Sequence, residues 1–201
     1  MSKPSFDLSD NAQEITLVGF QETLNDNANI ENFYNGLYCL YINNLTDAKK
    51  FLLRALNGTE KIDPSYFEYL SYLGLVEVLL HKSKGGLHRC YNAVKGFSTE
   101  PELYLNVAYA EHILGNRRRS VDAIKKSLAN DSKFTHAYHF HRYIGRRNNL
   151  KRSNPAKNIF GRFFRRKKNQ CTAENFDKIF KQHLSKKLDL YIEAVINKKP
   201  G

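Results

Sequence analysis

Apolar residues recur along this chain at helical spacing in separate blocks, and no alternating strand pattern of comparable length appears. The clearest block is one wide stripe near the C-terminus, made of Phe176, Ile179, Phe180, Leu184, Leu188, Tyr191, Ile192 and Val195. A stripe of this width has to be buried against another surface. The pattern predicts an all-α protein with a C-terminal amphipathic helix over residues 172–197, capped by Thr172.

A second pattern consists of paired helical blocks separated by turn residues. The clearest pair begins at Pro101 and has Gly115-Asn116 as its turn. Its helices carry aromatic, apolar and small residues at Tyr104, Val107, Ala108, Ser120, Ile124 and Ser127. Short side chains let two antiparallel helices cross closely. This unit resembles the tetratricopeptide repeat (TPR), a helical hairpin with a 34-residue period.

The resemblance extends to neighbouring units and implies a short TPR solenoid of about three repeats with capping helices. The units span residues 29–66, 67–100 and 101–134, and a half-repeat at residues 135–148 closes the array. In the first unit Asn43-Asn44 form the turn, and Asp63-Pro64 lies where the family ends one helix and begins the next.

The second unit departs from the family at Gly85-Gly86, which falls inside its second helix. Each glycine there costs about 1 kcal/mol relative to alanine. We therefore expect that helix to start late or to be mobile. In the half-repeat, Arg142 occupies a position that is usually small, and no second helix with alanine spacing follows.

The remaining segments flank this array. Residues 1–28 form an N-terminal segment with a helix expected over residues 9–25, and residues 149–171 form a basic, aromatic linker before the C-terminal helix. That helix could fold back within the chain or join two copies of it. The first apolar run, residues 15–20, is too short for a signal peptide or a membrane span, so we expect a cytoplasmic protein.

TPR proteins bind peptides on the concave face lined by their first helices. The resemblance places an apolar, aromatic set there: Phe33, Leu37, Leu40, Tyr41, Leu75, Leu79, Leu105, Tyr109 and His112. The Lys, Asn and Arg residues with which chaperone-tail binders clamp a carboxylate are missing from these positions. We expect a groove for a helical or extended segment of another protein. Alternatively, the chain's own terminal helix fills the groove, or these side chains are core between repeats.

The net charge of +12 is distributed unevenly. Residues 1–80 contain five Lys/Arg and 11 Asp/Glu, whereas residues 81–201 contain 27 and nine. No acid lies between Asp131 and Glu174, a gap with 12 Lys/Arg. Such a block attracts acidic surfaces and polyanions. The candidate basic surface consists of Arg146, Arg147, Lys151, Arg152, Arg162, Arg165, Arg166, Lys167 and Lys168.

Phe160, Phe163 and Phe164 interleave with these cations, so several interpretations are open. The stretch could bind an anionic membrane surface, dock on an acidic protein, or bind single-stranded nucleic acid by stacking. It could also be a solvated tail whose phenylalanines pack on the last repeat. A peripheral membrane-surface or nucleic-acid binder acting through residues 142–168 is thus the alternative to a TPR adaptor.

Candidate chemistry elsewhere is sparse. Cys39, Cys90 and Cys171 are odd in number and lack paired spacing, which is typical of reduced cysteines. His136 and His139 could share a helix face, but no further ligand completes a metal site. No phosphate loop or nucleophile motif occurs. The sequence predicts a protein-binding adaptor that is not an enzyme and carries no metal or cofactor.

Overall fold

The computed structural model describes the backbone of residues 28–152 and 161–197, and the side chains of residues 28–144 and 176–197. These residues form eight helices and no strand, which confirms the predicted all-α class. The helices are α1 (Ala28–Tyr41), α2 (Leu45–Asn57), α3 (Pro64–His81), α4 (Lys84–Gly96), α5 (Pro101–Ile113), α6 (Arg117–Asn130), α7 (Thr135–Arg152) and α8 (Gly161–Asn197).

The first six helices form three antiparallel hairpins, each joined by two or three residues. Between α1 and α2, Asn43 adopts a positive φ of 64° and Asn44 caps α2 by accepting a hydrogen bond from the Asp47 N–H. Between α5 and α6, Gly115 adopts a φ of 82°, a conformation that glycine adopts without a steric penalty. Both predicted turns are confirmed.

Asp63 and Pro64 start α3 as the sequence predicts. The Asp63 side chain accepts a hydrogen bond from the Ser65 N–H at 2.8 Å, and Pro64 occupies the first helical position. Proline suits that position because its missing N–H would have no partner inside the helix. This pair fixes where the second hairpin begins.

The prediction that α4 starts late is wrong, because α4 begins at Lys84, ahead of both glycines. The Ser83 hydroxyl caps it by accepting from the Gly86 N–H. Gly86 faces α3 so closely that an added Cβ would lie 2.6 Å from the Gly74 carbonyl oxygen. The glycine therefore permits a backbone contact between α3 and α4 that outweighs its poor helix propensity.

Successive hairpins stack on one another, with α3 packing on α2 and α5, α4 on α5, and α6 on α7. In the third hairpin, hydrogen bonds join the two helices: the buried hydroxyls of Ser120 and Ser127 on α6 donate to the carbonyls of Ala108 and Pro101 on α5. One continuous buried core joins all eight helices. The predicted small positions in α5 and α6 are thus explained by close helix packing.

The C-terminal part differs from the expected boundaries. The half-repeat helix α7 continues to Arg152, and α8 begins at Gly161, so Thr172 is an interior residue of α8 and not its N-cap. Much of the expected linker at residues 149–171 is therefore helical. Strong helix formers such as Arg and Lys extend both helices into it. The expected N-terminal helix at residues 9–25 lies outside the described residues.

None of the helices in the described ranges combines the length and the apolar character needed to cross a lipid bilayer. The longest, α8, has 37 residues and is about 55 Å long.

Candidate binding groove

The helix α8 lies antiparallel to the four odd-numbered helices and fills the surface that they share. On α5, for example, Glu102 near the N-terminus contacts Lys187, whereas His112 near the C-terminus contacts Phe176. α3 follows the same order through Glu68–Lys187 and Tyr72–His183, and α7 does so through His136–His183 and Phe140–Phe176. On α1, Tyr34 contacts Tyr191, and Tyr41 at the end of the helix lines the same depression as Lys181 and Ser185. We call the surface of α1, α3, α5 and α7 that faces α8 the α8 groove.

The first third of this interface is aromatic. The rings of Phe176 and Phe180 in α8 pack against the Tyr109 ring in edge-to-face geometry, with centroid distances of 5.8 Å and 5.1 Å. Phe140 of α7 lies 4.6 Å from the Tyr109 ring and 5.7 Å from Phe176. Edge-to-face pairs gain energy beyond their buried area. These rings hold the early turns of α8 against α5 and α7.

The last part of the interface rests on α1. The rings of Tyr34 and Tyr191 stack with their centroids 3.7 Å apart and their planes nearly parallel. Between the two aromatic ends, Leu184 is fully buried. Of the predicted apolar stripe, Phe180 and Leu184 are buried in the α8 groove, and Phe176, Ile179 and Leu188 are half-buried and pack against the core.

The middle of the interface is charged. The Lys187 ammonium lies 2.8 Å and 2.7 Å from the two carboxylate oxygens of Glu102 and also pairs with Glu68. Its nitrogen lies 5.9 Å from the centre of the Phe33 ring and 5.7 Å from that of Tyr72. Only 18% of the Lys187 side chain is accessible. A single cation thus pairs with two acids, and two aromatic rings face the same nitrogen.

The protonation equilibria follow from this arrangement. Burial alone would raise the pKa of Glu102, but Lys187 and His183 outweigh burial, so this pKa lies below its ordinary value. Burial likewise opposes the charge of Lys187, but Glu102 and Glu68 raise its pKa above the ordinary range. The pKa of Glu68 is raised by burial, with Lys187 opposing and Glu102 reinforcing the shift. Glu102 is therefore the stronger partner of Lys187.

Tyr72 and His183 complete the charged centre. The Tyr72 hydroxyl donates to Glu102, and its oxygen lies 3.0 Å from Nε2 of His183. Because this hydroxyl has one proton, Nε2 of His183 has to donate to it. Nδ1 of His183 is buried and without a hydrogen-bond partner among the described residues. The pair orients Glu102 toward Lys187.

The histidines considered as metal ligands are separated by the fold. His136 turns toward α8, where its ring centroid lies 4.7 Å from that of His183. Burial, followed by the nearby His183 and Lys186, lowers the pKa of His136 to about 4. His139 is exposed and lies beside Tyr138. His136 thus belongs to the edge of the charged centre.

The predicted groove residues divide into two groups. Phe33, Tyr109 and His112 contact α8 directly, and Tyr41 borders a surface depression that α8 also lines. The others belong to the continuous core or pack against it: Leu37, Leu40, Leu75, Leu79 and Leu105. The chain's own C-terminal helix therefore covers the predicted surface around Phe33, Tyr109 and His112, whereas the five leucines lie in or against the core between the helices.

The residues at the centre of the interface were not among the predicted groove residues. The TPR resemblance also puts Glu68 and Glu102 at inner-face positions, but only the apolar and aromatic residues of that face were expected to form the groove. Tyr72, His183 and Lys187 were not expected on this face. The sequence does carry a signal for Lys187. Lys187 follows Phe180 by seven residues and Leu184 by three, which places a cation on the apolar stripe of α8.

The candidate basic surface lies on two helices. Arg146, Arg147, Lys151 and Arg152 are in the final turns of α7, and Arg162, Arg165, Arg166, Lys167 and Lys168 are in the first turns of α8. Their side chains lie outside the described residues.

Comparison of the chain with known protein families, with curated proteins and with solved structures finds no match in any of the three.

Proposed function

We propose that this chain is a cytoplasmic, non-enzymatic adaptor of the TPR type that binds an amphipathic helix of another protein in the α8 groove. The observation that carries the proposal is α8 itself, a helix held in that groove by aromatic, aliphatic and ionic contacts. A surface that fits one amphipathic helix in cis has the shape and the chemistry to bind a second one in trans.

The TPR assignment within this proposal is supported by the spacing of the hairpins. Their first helices and α7 begin at residues 28, 64, 101 and 135, which are intervals of 36, 37 and 34 residues. The family's turns and helix starts occur at Asn43-Asn44, Asp63-Pro64 and Gly115-Asn116. Stacked hairpins of this length present their first helices on one face.

The composition of the interface supports exchange of α8 for a partner. Its centre contains Glu68, Glu102, His183 and Lys187, groups that water solvates well when α8 departs. A buried ion pair is also weak as a stabiliser, because desolvation offsets most of its attraction. An occupant of this kind leaves its site at a lower cost than one held by apolar contacts alone.

A covalent crosslink that prevents α8 from leaving the groove tests the proposal. In a chain with Cys171→Ser, cysteines replacing Tyr34 and Tyr191 and joined by a short bis-maleimide would tether α8 to α1, since Cys39 and Cys90 are buried. We expect the tethered chain to lose capture of partner proteins from extracts of its own cell, whereas the same double variant without crosslinker keeps it. Equal capture by both forms would contradict binding in the α8 groove.

The second candidate function acts through residues 142–168, as a peripheral membrane-surface or nucleic-acid binder. It is favoured by the continuation of α7 to Arg152 and the start of α8 at Gly161, which arrange much of the acid-free segment on helices. Replacing Arg162, Arg165, Arg166 and Lys167 by glutamine should then abolish binding to anionic vesicles or RNA, binding that fades by about 0.5 M salt. An unchanged affinity would reject this alternative.

A further inference from the structure

The surroundings of Lys187 have the composition of a recognition site for an ammonium group. Phe33, Glu68, Tyr72 and Glu102 surround the nitrogen, and we call these four residues the Lys187 pocket. Two carboxylates supply the opposite charge, and two aromatic rings supply the negative faces that attract a cation. All four residues come from α1, α3 and α5, so the pocket belongs to the groove and the cation to its occupant.

Burying the charged groups of the pocket costs free energy, and packing alone would be served as well by apolar residues. Replacing a buried ion pair by apolar residues of similar volume is often neutral or stabilising. An occupant without a cation is different, because it would keep Glu68 and Glu102 buried beside each other with no positive charge between them. Buried polar groups that need a specific partner discriminate strongly against occupants that lack it.

The remaining contacts of α8 define where that cation stands in an occupant. Phe176 and Phe180 precede Lys187 by eleven and seven residues and fill the aromatic end of the groove. Tyr191 follows it by four residues and reaches α1. These positions form one stripe along a helix.

We propose that the Lys187 pocket selects the partner of this adaptor, and that the partner is an amphipathic helix with a lysine seven residues after one aromatic side chain and eleven after another. The helix α8 is the internal competitor for this site. Charge complementarity identifies this occupant, since the groove presents two acids where an apolar partner would need none. The inference rests on the proposed function and specifies its ligand.

Peptide binding to the full-length chain tests the pocket. In Lys187→Glu the new acid faces Glu68 and Glu102, which should release α8 and open the groove. The probe is a fluorescent peptide with the sequence of residues 172–197, followed by anisotropy. We expect it to bind this variant at least tenfold more tightly than it binds the unaltered chain, where α8 competes.

Two altered peptides separate recognition of the lysine from general helix binding. A peptide with Lys187→Met should bind the variant roughly 30-fold more weakly than the original peptide, because it leaves the two acids unpaired. The matched control peptide carries Lys186→Met at the neighbouring exposed position and should bind like the original.

The outcomes distinguish the two proposals. Equal binding of all three peptides would overturn lysine recognition while leaving helix binding in the groove intact. Binding of none would overturn both. Circular dichroism checks that the variant keeps its helices, and the milder Lys187→Met chain replaces it if it does not. That chain should also bind the original peptide more tightly than the unaltered chain does, and failure to do so would overturn the proposal.

Discussion

The interface between α3 and α4 and the interface between α8 and its groove are both buried, but different chemistry builds them. In the first, Gly74 and Gly86 bring two backbones together, and fully buried Cys90 fills the adjacent space. In the second, aromatic ends flank Lys187 and its two acids. Under the proposed function, the hairpins are the scaffold and α8 is the ligand that it carries within the same chain.

The charged centre should show the largest effect. Lys187→Glu places a third acid beside Glu68 and Glu102, and we expect it to cost about 3–5 kcal/mol of the free energy that docks α8. The control Lys186→Glu makes the same charge change at an exposed position and should stay within about 0.5 kcal/mol. Urea unfolding followed by circular dichroism measures both, and equal losses would contradict a specific role of Lys187.

The scaffold should be destabilised when the backbones of α3 and α4 are forced apart. In Gly86→Ala the new Cβ would lie 2.6 Å from the Gly74 carbonyl oxygen and 3.0 Å from the Val78 nitrogen. Because neither backbone atom can move away easily, we expect a loss of about 3 kcal/mol of unfolding free energy. The control Gly85→Ala meets only the Ser83 hydroxyl, at 3.3 Å, and should be neutral or slightly stabilising. Equal losses in chemical denaturation would contradict the packing account.

Acid should weaken the α8 interface through His136. Its pKa of about 4 in the folded chain lies below the ordinary 6.5, so between these values the unfolded chain binds a proton that the folded chain does not. Stability therefore falls as the pH drops from about 6.5 to about 4. The full shift corresponds to about 3 kcal/mol, which solvent screening of this half-exposed ring reduces to about 2 kcal/mol. His136→Gln should remove that part of the pH dependence of the unfolding free energy, and His139→Gln should not. An unchanged pH profile in His136→Gln would contradict this assignment.

The smallest effect is expected where α8 meets α1. Tyr191→Leu removes the stacked pair with Tyr34 and should cost about 1 kcal/mol. Tyr191→Phe is the matched control, because the Tyr191 hydroxyl is buried and has no hydrogen-bond partner among the described residues. That change should be neutral or slightly stabilising in thermal unfolding. Equal destabilisation by both substitutions would show that the hydroxyl, and not the stacking, holds this end.

Most of the fold could be predicted because its determinants are local. Turns at Asn43-Asn44 and Gly115, and the helix start at Asp63-Pro64, follow from residues next to one another in sequence. The start of α4 could not be predicted in this way. Gly86 is unfavourable within its own helix, and the compensating contact comes from Gly74 on another helix.

The candidate site was predictable only in part, because it too depends on contacts between residues that lie far apart in the sequence. An apolar groove follows from the spacing of single helices, and so does an apolar stripe on the last one. That the second fills the first is decided by pairings such as Glu102 with Lys187, which are 85 residues apart. The acids of the groove helices and the lysine of α8 can be recognised as partners only when the fold brings the two faces together.

The claim that α8 is a bound and exchangeable helix is tested most directly by native-state hydrogen exchange. We expect the amides of residues 176–197 to open at a lower free energy than those of α3 and α5. We also expect Lys187→Met to lower the protection of α8 while leaving both scaffold helices unchanged. A single opening free energy shared by α8, α3 and α5, in both the unaltered chain and the variant, would contradict it.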